Sequence, residues 1–479
     1  MEGRKMSTTS QARQRIESLL DENSFVEIGA QITARATDFN MKQNETPSDG
    51  VITGYGVIGG NLVYVYSQDS SVLGGSVGEM HAKKIAALYE MAVRMGAPVI
   101  GLLDSTGLRL EESTDALNGF GTIFSKMTDA SGVVPQITGI FGNCGGALSI
   151  LAAMSDFTFM ETGSKLFVNS PDAIDGNSTA KCDTSACAFQ SEDAGNVDFC
   201  GDESAVIGQI RALVSLVPGN NEDEALTDCT DDLNRVCGDI AECAPDAALA
   251  LTRISDNGVL VETRKDYAKE MVTGFIQLNG ATVGAVANRT AVFDENGKEA
   301  EKFDAVLTHA GCEKAARFVR FCDAFSIPVL TLTDVTGFAA TKCSEKRIAK
   351  AAAGLTAAFA KATVPKVNVI TGKAFGTAYT VMNSKAVGAD ITIAWPDAQI
   401  GTMDADMAAK ILCDGKGADE INACADKYRE LQNNVKSAAS RGYVDQIVEP
   451  ADTRKYIIGA FEMLATKCVT GPDKKHGTV

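Results

Sequence analysis

The sequence predicts an α/β protein in which one strand-and-helix unit occurs twice. Three observations carry that reading. Pro98, Asp104, Gly107, Pro135, Gly142 and Gly146 are matched by Pro328, Asp334, Gly337, Pro365, Gly372 and Gly376, each 230 positions later. The text between them rhymes as well: APVIGLLDSTG at 97–107 answers IPVLTLTDVTG at 327–337, and VVPQITGIFGNCGGA at 133–147 answers TVPKVNVITGKAFGTA at 363–378. Finally, apolar runs that begin at proline and end in glycine turns alternate with amphipathic stretches, the pattern of alternating strands and helices. A repeat unit is one structural solution used twice. Each half is therefore expected to make the same fold, and a polar device in one half should recur at the matched place in the other.

In chain order, QARQRIESLLDENSFVEIG at 11–29 opens with a short helix that turns Ile16, Leu19 and Leu20 to one face. Strands follow at 51–58 and 62–67, joined at Gly59-Gly60. A helix over 81–95 would bury Ile85, Leu88, Ala92 and Met95, and its counterpart over 311–325 would bury Ala315, Phe318, Cys322 and Phe325, all four again offset by 230. Shared helix phase is harder to reach by chance than shared glycines, because it must preserve the face that meets the core. Each helix leads into a strand, at 98–103 or 328–332. Residues 218–247, PGNNEDEALTDCTDDLNRVCGDIAECAPDA, are acidic and poor in aromatic residues and read as a linker, which sets the domains at 1–245 and 246–479. The second half repeats the hairpin at 274–279 and 282–288. GKGADEINACADKYRELQNNVKSAAS at 415–440 reads as a polar, helix-prone surface insertion whose charges form a solvated face.

A chain of 479 residues supports two large domains, each able to bury a full core. With 44 basic against 62 acidic residues and a net charge of −18, nucleic acid is excluded as a partner, since phosphate binding needs a basic surface; the charge serves solubility. No stretch approaches the ~20 apolar residues of a membrane span. MEGRKMSTTSQARQR has no apolar signal-peptide core, so a cytoplasmic protein is expected, peripheral to a membrane only through partners, with Met1 and Met6 both possible starts. None of the 13 cysteines falls in a C-x-x-C pair, so reduced thiols are expected rather than disulfides or a metal site. The three histidines, His81, His309 and His476, leave little material for a histidine triad. His81, at a helix start, reads as a structural polar residue.

The chemistry must come from elsewhere. In GNCGGALSILAAMSDF at 142–157 and GKAFGTAYTVMNSKAVGAD at 372–390, an apolar strand ends in small residues and continues into a helix-like run. The first amides of a helix have no internal acceptor and its dipole favours negative charge. Gly146 with Ala147, and Thr377 with Ala378, are therefore candidate pairs of N–H donors to an oxyanion, worth roughly 3–4 kcal/mol per donor. Either motif alone reads better as a close-packing site; two copies in register favour function. Gly74, Gly75 and Ser76, in SVLGGSVGEMHAKK at 71–84, can approach a phosphate or thioester, although the spacing is neither that of a P-loop nor that of a dinucleotide fingerprint. Lys83 and Lys84 read as surface charges. Arg109, after the Gly107 turn, is a candidate anion ligand, although a turn arginine ordinarily faces solvent.

Taken together, YVYSQDSSVLGGSVGEMHAKKI at 64–85, GAPVIGLLDSTGLRL at 96–110, ASGVVPQITGIFGNCGGA at 130–147, ARFVRFCDAFSIPVLTLTDVTGF at 316–338 and ATVPKVNVITGKAFGTAY at 362–379 resemble the carboxyltransferase subunit of biotin-dependent acyl-CoA carboxylases, of the propionyl-CoA carboxylase beta type. The same family includes the carboxyltransferase subunits of sodium-pumping methylmalonyl-CoA and glutaconyl-CoA decarboxylases. The resemblance runs from about residue 11 to 460. It implies tandem crotonase-like domains, each a ββα spiral, in dimers that pack into a homohexamer, with acyl-CoA on the N-terminal domain and carboxybiotin on the C-terminal domain of a neighbouring subunit. It also implies that Gly146 and Ala147 hold the thioester enolate oxygen and that Thr377 and Ala378 hold the biotin ureido oxygen. Gly376, Gly337 and Phe338 would lie beside biotin, and Gly74, Gly75, Ser76, Gly107, Arg109 and Thr380 along the acyl-CoA.

Departures accompany the likeness. The family's C-A-G-G-A is C-G-G-A-L here, so Ala147 stands where a second glycine is expected, and A-Y-G-G-A-Y has become Ala374-Phe375-Gly376-Thr377-Ala378-Tyr379. D-x-P-G-F is Asp334-Val335-Thr336-Gly337-Phe338, followed by the atypical AATKCSEKRIAKAAAG at 339–354, and DGNSTAKCDTSACAFQ is likewise unlike the family pattern. No Met-Lys-Met biotin-attachment motif and no ATP-binding carboxylase segment occurs in this sequence, so the resemblance implies a separate biotin carboxyl carrier protein. With a biotin carboxylase the system would carboxylate an acyl-CoA using ATP; with a membrane pump subunit it would decarboxylate and export sodium. Two other readings stay open: a biotin-independent crotonase-like hydratase or hydrolase using Glu79, Glu111 or Glu112, and a catalytically silent CoA-binding scaffold. The acyl group is not set, since Thr380 and Met382 follow the second motif and one pocket residue separates methylenes by only ~1–3 kcal/mol.

Overall fold

The computed structural model describes residues 10–35 and 46–472; Met1, Met6 and His476 lie outside the described residues. The first unit is built on a seven-stranded sheet in the order Val26–Ile28, Val51–Ile58, Asn61–Gln68, Val99–Leu103, Gln136–Ile140, Phe157–Glu161, Phe199–Gly201. Its first three strands are antiparallel, and each later pairing is parallel. The second unit repeats this plan with Leu260–Thr263, Met271–Leu278, Ala281–Asn288, Val329–Val335, Lys366–Phe375, Ile391–Ala394 and Gln446–Ile447, again antiparallel for three strands and parallel thereafter. Val99–Leu103 and Gln136–Ile140 are buried at every position, as central parallel strands covered on both faces must be. In the first unit a short parallel pair, Asn143–Gly145 with Lys165–Phe167, leaves the main sheet, and in the second Val306–Leu307 pairs with Gly337–Phe338.

The matched prolines now have a reason. The Pro98 carbonyl accepts from Tyr64 N–H and the Pro135 carbonyl from Val99 N–H, both at 2.9 Å; Pro328 accepts from Gly284 at 2.8 Å and Pro365 from Val329 at 2.9 Å. Each proline sits at the entrance of a parallel strand, where a carbonyl is needed but an N–H is not. The matched glycines answer to the matched aspartates. A Cβ on Gly142 would stand 2.1 Å from Asp104 Oδ1, and one on Gly372 2.7 Å from Asp334 Oδ1. The Asp104 N–H is held by Gln68 Oε1 and the Asp334 N–H by Asn288 Oδ1, each at 3.2 Å.

The helices Glu79–Met95 and His309–Ala324 keep the expected phase with one exception: Met95 is 62% exposed, because Gly96 adopts the left-handed conformation and ends the helix there. Lys84 is buried rather than superficial, donating to the carbonyls of Ser48 and Val51. Its partner at +230, Lys314, donates to the carbonyls of Arg264 and Tyr267, both at 2.8 Å. The duplication thus preserves a buried ammonium that gathers loop carbonyls.

Three further expectations are corrected. The compact units divide between Glu224 and Ala225, ahead of the boundary expected near 245. Leu226 bridges to Ala281, Cys237 and Ile240 join the second core, and Arg454 pairs with Asp256 and Asp231. Most of the stretch read as a linker is therefore built into the second unit. Cys187 and Cys200 are joined in a disulfide, against the expectation of reduced thiols throughout, because the 168–198 excursion folds back and brings the two side by side. The 415–440 stretch is more than a solvated face: Val435 and Ala438 are buried in a small core with Ile370 and Ile400. Among the described residues no helix is long and apolar enough to cross a membrane, and no group of three or more His, Cys, Asp or Glu is placed to hold a metal ion.

Candidate functional site

In the first unit the Asn143–Gly145 strand runs into Gly146, whose φ of +60° turns the chain into the helix Ala147–Met154. The Gly146 N–H donates to the Phe167 carbonyl at 2.9 Å, so it is not a free donor as the sequence suggested. The first amides of the helix, those of Ala147 and Leu148, have no acceptor among the described residues. The register agrees, because 230 positions on from Ala147 and Leu148 stand Thr377 and Ala378.

Gly74, Gly75, Ser76 and Gly107 are brought together beside this turn. Thr106 N–H donates to the Gly74 carbonyl at 2.9 Å, Ser105 Oγ to the Gly75 carbonyl at 2.7 Å and Val77 N–H to the Gly107 carbonyl at 2.8 Å. Ser105 N–H reaches Asn143 O at 3.2 Å and ties the loops to the turn. Close packing decides the second glycine, since a Cβ on Gly75 would lie 2.5 Å from the Asp104 carbonyl oxygen.

Arg109 is not available to a substrate anion. Its side chain is 1% exposed; NH1 lies 2.8 Å from both Asp49 Oδ1 and Glu112 Oε1, NH2 donates to the Ser76 carbonyl at 2.7 Å, and Nε donates to Ser76 Oγ at 3.2 Å. Nothing in the linear pattern signals this burial, because a guanidinium is accommodated inside only when acceptors from distant segments meet around it.

The acid–base candidates fare similarly. Glu112 holds Arg109 and also accepts from Glu79 N–H at 2.6 Å; Glu79 pairs with Arg35 and Lys83; Glu111 is exposed. His81 is fully buried, and burial with the nearby Arg109 charge holds its pKa down to about 3. Its Nδ1 faces the Asp49 carbonyl at 3.0 Å and its Nε2 faces the Gln68 side-chain amide at 3.2 Å. These contacts select the Nδ1–H tautomer and make His81 a neutral structural residue.

In the second unit the Lys366–Phe375 strand passes through Gly376, φ +63°, into the short helix Gly376–Val381. Thr377 is exposed, and the N–H groups of Thr377 and Ala378 have no acceptor among the described residues. The Gly337–Phe338 strand packs against this helix, so the residues expected beside biotin are gathered in one place. A cavity of about 430 Å³ opens beside Gly376, Thr377 and Thr380. Its far wall includes Tyr428 and Gln432 from the 415–440 stretch, with Arg441 and Tyr443 beyond. Arg441 donates to Gln432 Oε1 at 3.0 Å. Nothing in the linear pattern pointed to these residues, because they come from a segment 50 positions downstream. Tyr379 also lines the cavity, and burial pushes its phenol up to about 12. Burial likewise raises the Asp334 carboxyl, whose Oδ1 accepts from Lys373 N–H at 2.8 Å.

Each unit therefore presents unpaired backbone amides at a glycine turn, with no histidine or free carboxylate poised beside them among the described residues. That equipment suits stabilisation of oxyanions rather than proton relay. Comparison with known proteins agrees with this geometry. The carboxyl transferase domain family matches residues 5–479. The propionyl-CoA carboxylase beta chain of Roseobacter denitrificans is 40% identical over 491 residues, covering 98% of this chain and 93% of its own. The methylmalonyl-CoA decarboxylase subunit alpha of Propionigenium modestum is 39% identical over 494 residues, covering 98% and 92%. Among solved structures, the transcarboxylase 12S hexamer with methylmalonyl-coenzyme A and methylmalonic acid bound is 36% identical, with a TM-score of 0.91 over 98% of this chain and 92% of that one. A likeness this extensive in sequence and backbone means that the chain belongs to the carboxyl transferase domain family.

Proposed function

We propose that this protein is a biotin-dependent carboxyltransferase that moves a carboxyl group between biotin on a separate carrier protein and the α-carbon of an acyl-CoA thioester. The N-terminal unit takes the acyl-CoA and the C-terminal unit takes the biotin. The observation that carries the reading is the pair of amide sets at matched turns. A carboxyl transfer creates two oxyanions, an enolate on the thioester and a ureido oxygen on biotin, and each requires donors. The Ala147 and Leu148 amides serve the enolate, with Gly146 supplying the positive-φ turn rather than a donor; Thr377 and Ala378 serve the ureido oxygen. Carboxybiotin, when bound, would supply the carboxyl group and, once that group has left its nitrogen as CO2, the base for the α-proton, so that the enolate forms before the new C–C bond.

The side chains of the cavity bind and orient. Thr380 donates to the Gly376 carbonyl at 3.4 Å and buttresses the turn, while the Gly337–Phe338 strand packs against the helix that follows it. His81 holds no labile proton in the working pH range. Gly74, Gly75, Ser76 and Gly107 form the backbone shelf along which the thioester arm lies.

The named relatives include a carboxylase chain, a decarboxylase subunit and a hexameric transcarboxylase. For this chain we infer a homohexamer that works with a biotin carboxyl carrier protein, in the cytoplasm. Its second partner, a biotin carboxylase or a membrane pump subunit, sets the direction. The experiment is CO2 release from malonyl-CoA, methylmalonyl-CoA and glutaconyl-CoA by the purified chain, with and without millimolar free biotin. Release that requires biotin is expected. Release indifferent to biotin, or CoA binding without turnover, overturns the reading.

A further inference from the structure

Beneath the second turn lies a buried polar cluster that the reaction chemistry does not call for. Thr331, Asn368 and Thr392 stand in register on three adjacent parallel strands, Thr331 opposite Asn368 and Asn368 opposite Thr392. In-register partners on parallel strands project to the same face, so the three side chains form one row. Thr333 and Asn383 join them, and all five residues are 0% exposed. The hydroxyls of Thr331 and Thr333 both donate to Asn368 Oδ1, at 2.9 and 2.8 Å, and Asn383 Nδ2 donates to Thr331 Oγ1 at 3.1 Å. That directional pattern uses up one end of each amide.

What is left over is the informative part. Asn368 Nδ2, Asn383 Oδ1 and Thr392 Oγ1 are buried and have no partner among the described residues. One is a donor, one an acceptor, and the hydroxyl can be either. Buried polar groups are almost always hydrogen-bonded, if not to protein then to ordered water. A single water accepting from Asn368 Nδ2 and donating to Asn383 Oδ1 and Thr392 Oγ1 would satisfy all three, and about three bonds is the usual complement of a buried water.

Asn383 does not belong to the sheet. It follows directly on Met382, the residue that ends the Gly376–Val381 helix, and it holds φ at +50°, a conformation that asparagine tolerates better than other side-chain-bearing residues. Its amide therefore fastens the far end of the helix whose first turn carries Thr377 and Ala378.

We propose that one ordered water joins Asn368, Asn383 and Thr392, and that Asn383, through this cluster, is the positioning residue that aims the Thr377 and Ala378 amides. The water stands on geometry alone; the effect on reaction rests on the assignment of those amides to biotin made above.

The test uses the full-length chain. A high-resolution crystal structure should show a water about 3 Å from all three atoms; empty density there overturns the cluster. Asn383→Gly keeps the left-handed backbone and removes the amide, and Thr392→Val removes the hydroxyl at constant shape. Because small misplacement of a catalytic group is costly, Asn383→Gly should lower kcat/KM for free biotin by about tenfold or more, with the Kd for the CoA thioester unchanged. Thr392→Val should lose the water and move kcat/KM for biotin in the same direction, by less. Unchanged biotin kinetics in the folded variants, or an equal loss of CoA-ester affinity, overturns the positioning role; if Asn383→Gly does not fold, Thr392→Val decides by the same criteria. A wild-type enzyme indifferent to biotin overturns the functional reading and the positioning role with it, whereas the water is still decided by the density.

Discussion

Arg109 shows how far one residue's role depends on what surrounds it. The sequence offered it as an anion ligand, and the fold turns it inward between Asp49, Glu112 and Ser76. Removing one partner of a buried ion pair strands the other charges, so Arg109→Met should cost about 3–5 kcal/mol in a urea titration and leave the KM for acyl-CoA unchanged in the folded fraction. A raised KM at unchanged stability would restore the ligand role. Backbone donors need a different test, because only proline deletes an N–H. Thr377→Pro removes the proposed ureido donor at a first-turn position, where proline is tolerated. It should lower biotin-dependent turnover by roughly 10²–10³-fold, with little change in melting temperature, whereas Thr377→Ala keeps the N–H and should keep the turnover.

Among the elements, the strand that ends at each glycine turn is set by contacts from other strands. Gly142 and Gly372 are visible in the sequence as a matched pair, but their purpose is visible only once Asp104 and Asp334 stand beside them. Overpacking a close-packed site costs about 1–3 kcal/mol, so both Gly142→Ala and Gly372→Ala should destabilise. Gly142→Ala should be the worse, since its new methyl meets the carboxylate at 2.1 Å rather than 2.7 Å and Asp104 is pinned by Arg15 and Ser70. Urea midpoints of the two variants check the order. The helix phases were legible from period alone, because a 3.6-residue repeat encodes its own buried face. Met95 escaped that rule at the last turn, where the chain leaves the helix axis.

Over the whole molecule the duplication preserves Lys84 and Lys314 as buried amines. Burial lowers their pKa values to about 8 and about 7, against nearby acidic charges that pull the other way. In the unfolded chain both titrate near 10.5. Between pH 7 and 10.5 the unfolded state therefore binds more protons than the folded state, so this contribution to stability rises with pH. It is fully present above 10.5 and is lost as pH falls through 8 and then 7. Lys314→Met removes one of the two groups while leaving every other titration in place. The stability difference between variant and wild type, measured from pH 7 to 8.5, should shift steadily in favour of wild type; a flat difference would show that Lys314 keeps its proton throughout.

The sequence by itself determined that there are two equivalent units, where their central strands begin, which helix faces are buried and where the two glycine turns lie, because all of these follow from local period, proline and glycine, and from repetition at 230. It also carried enough of the family's motifs to suggest carboxyl transfer. Only the tertiary structure decided that the Gly146 amide is already taken by Phe167, that the amides of Ala147 and Leu148 are left without an acceptor among the described residues, and that residues 225–245 belong to the second unit. It alone gathered Tyr428 and Gln432 around Thr377 and joined Cys187 to Cys200. The division has a physical cause: a propensity or a period is a property of neighbouring residues, whereas a hydrogen-bond acceptor, a cavity wall or a buried countercharge is supplied by segments far apart in the chain and exists only after they have packed.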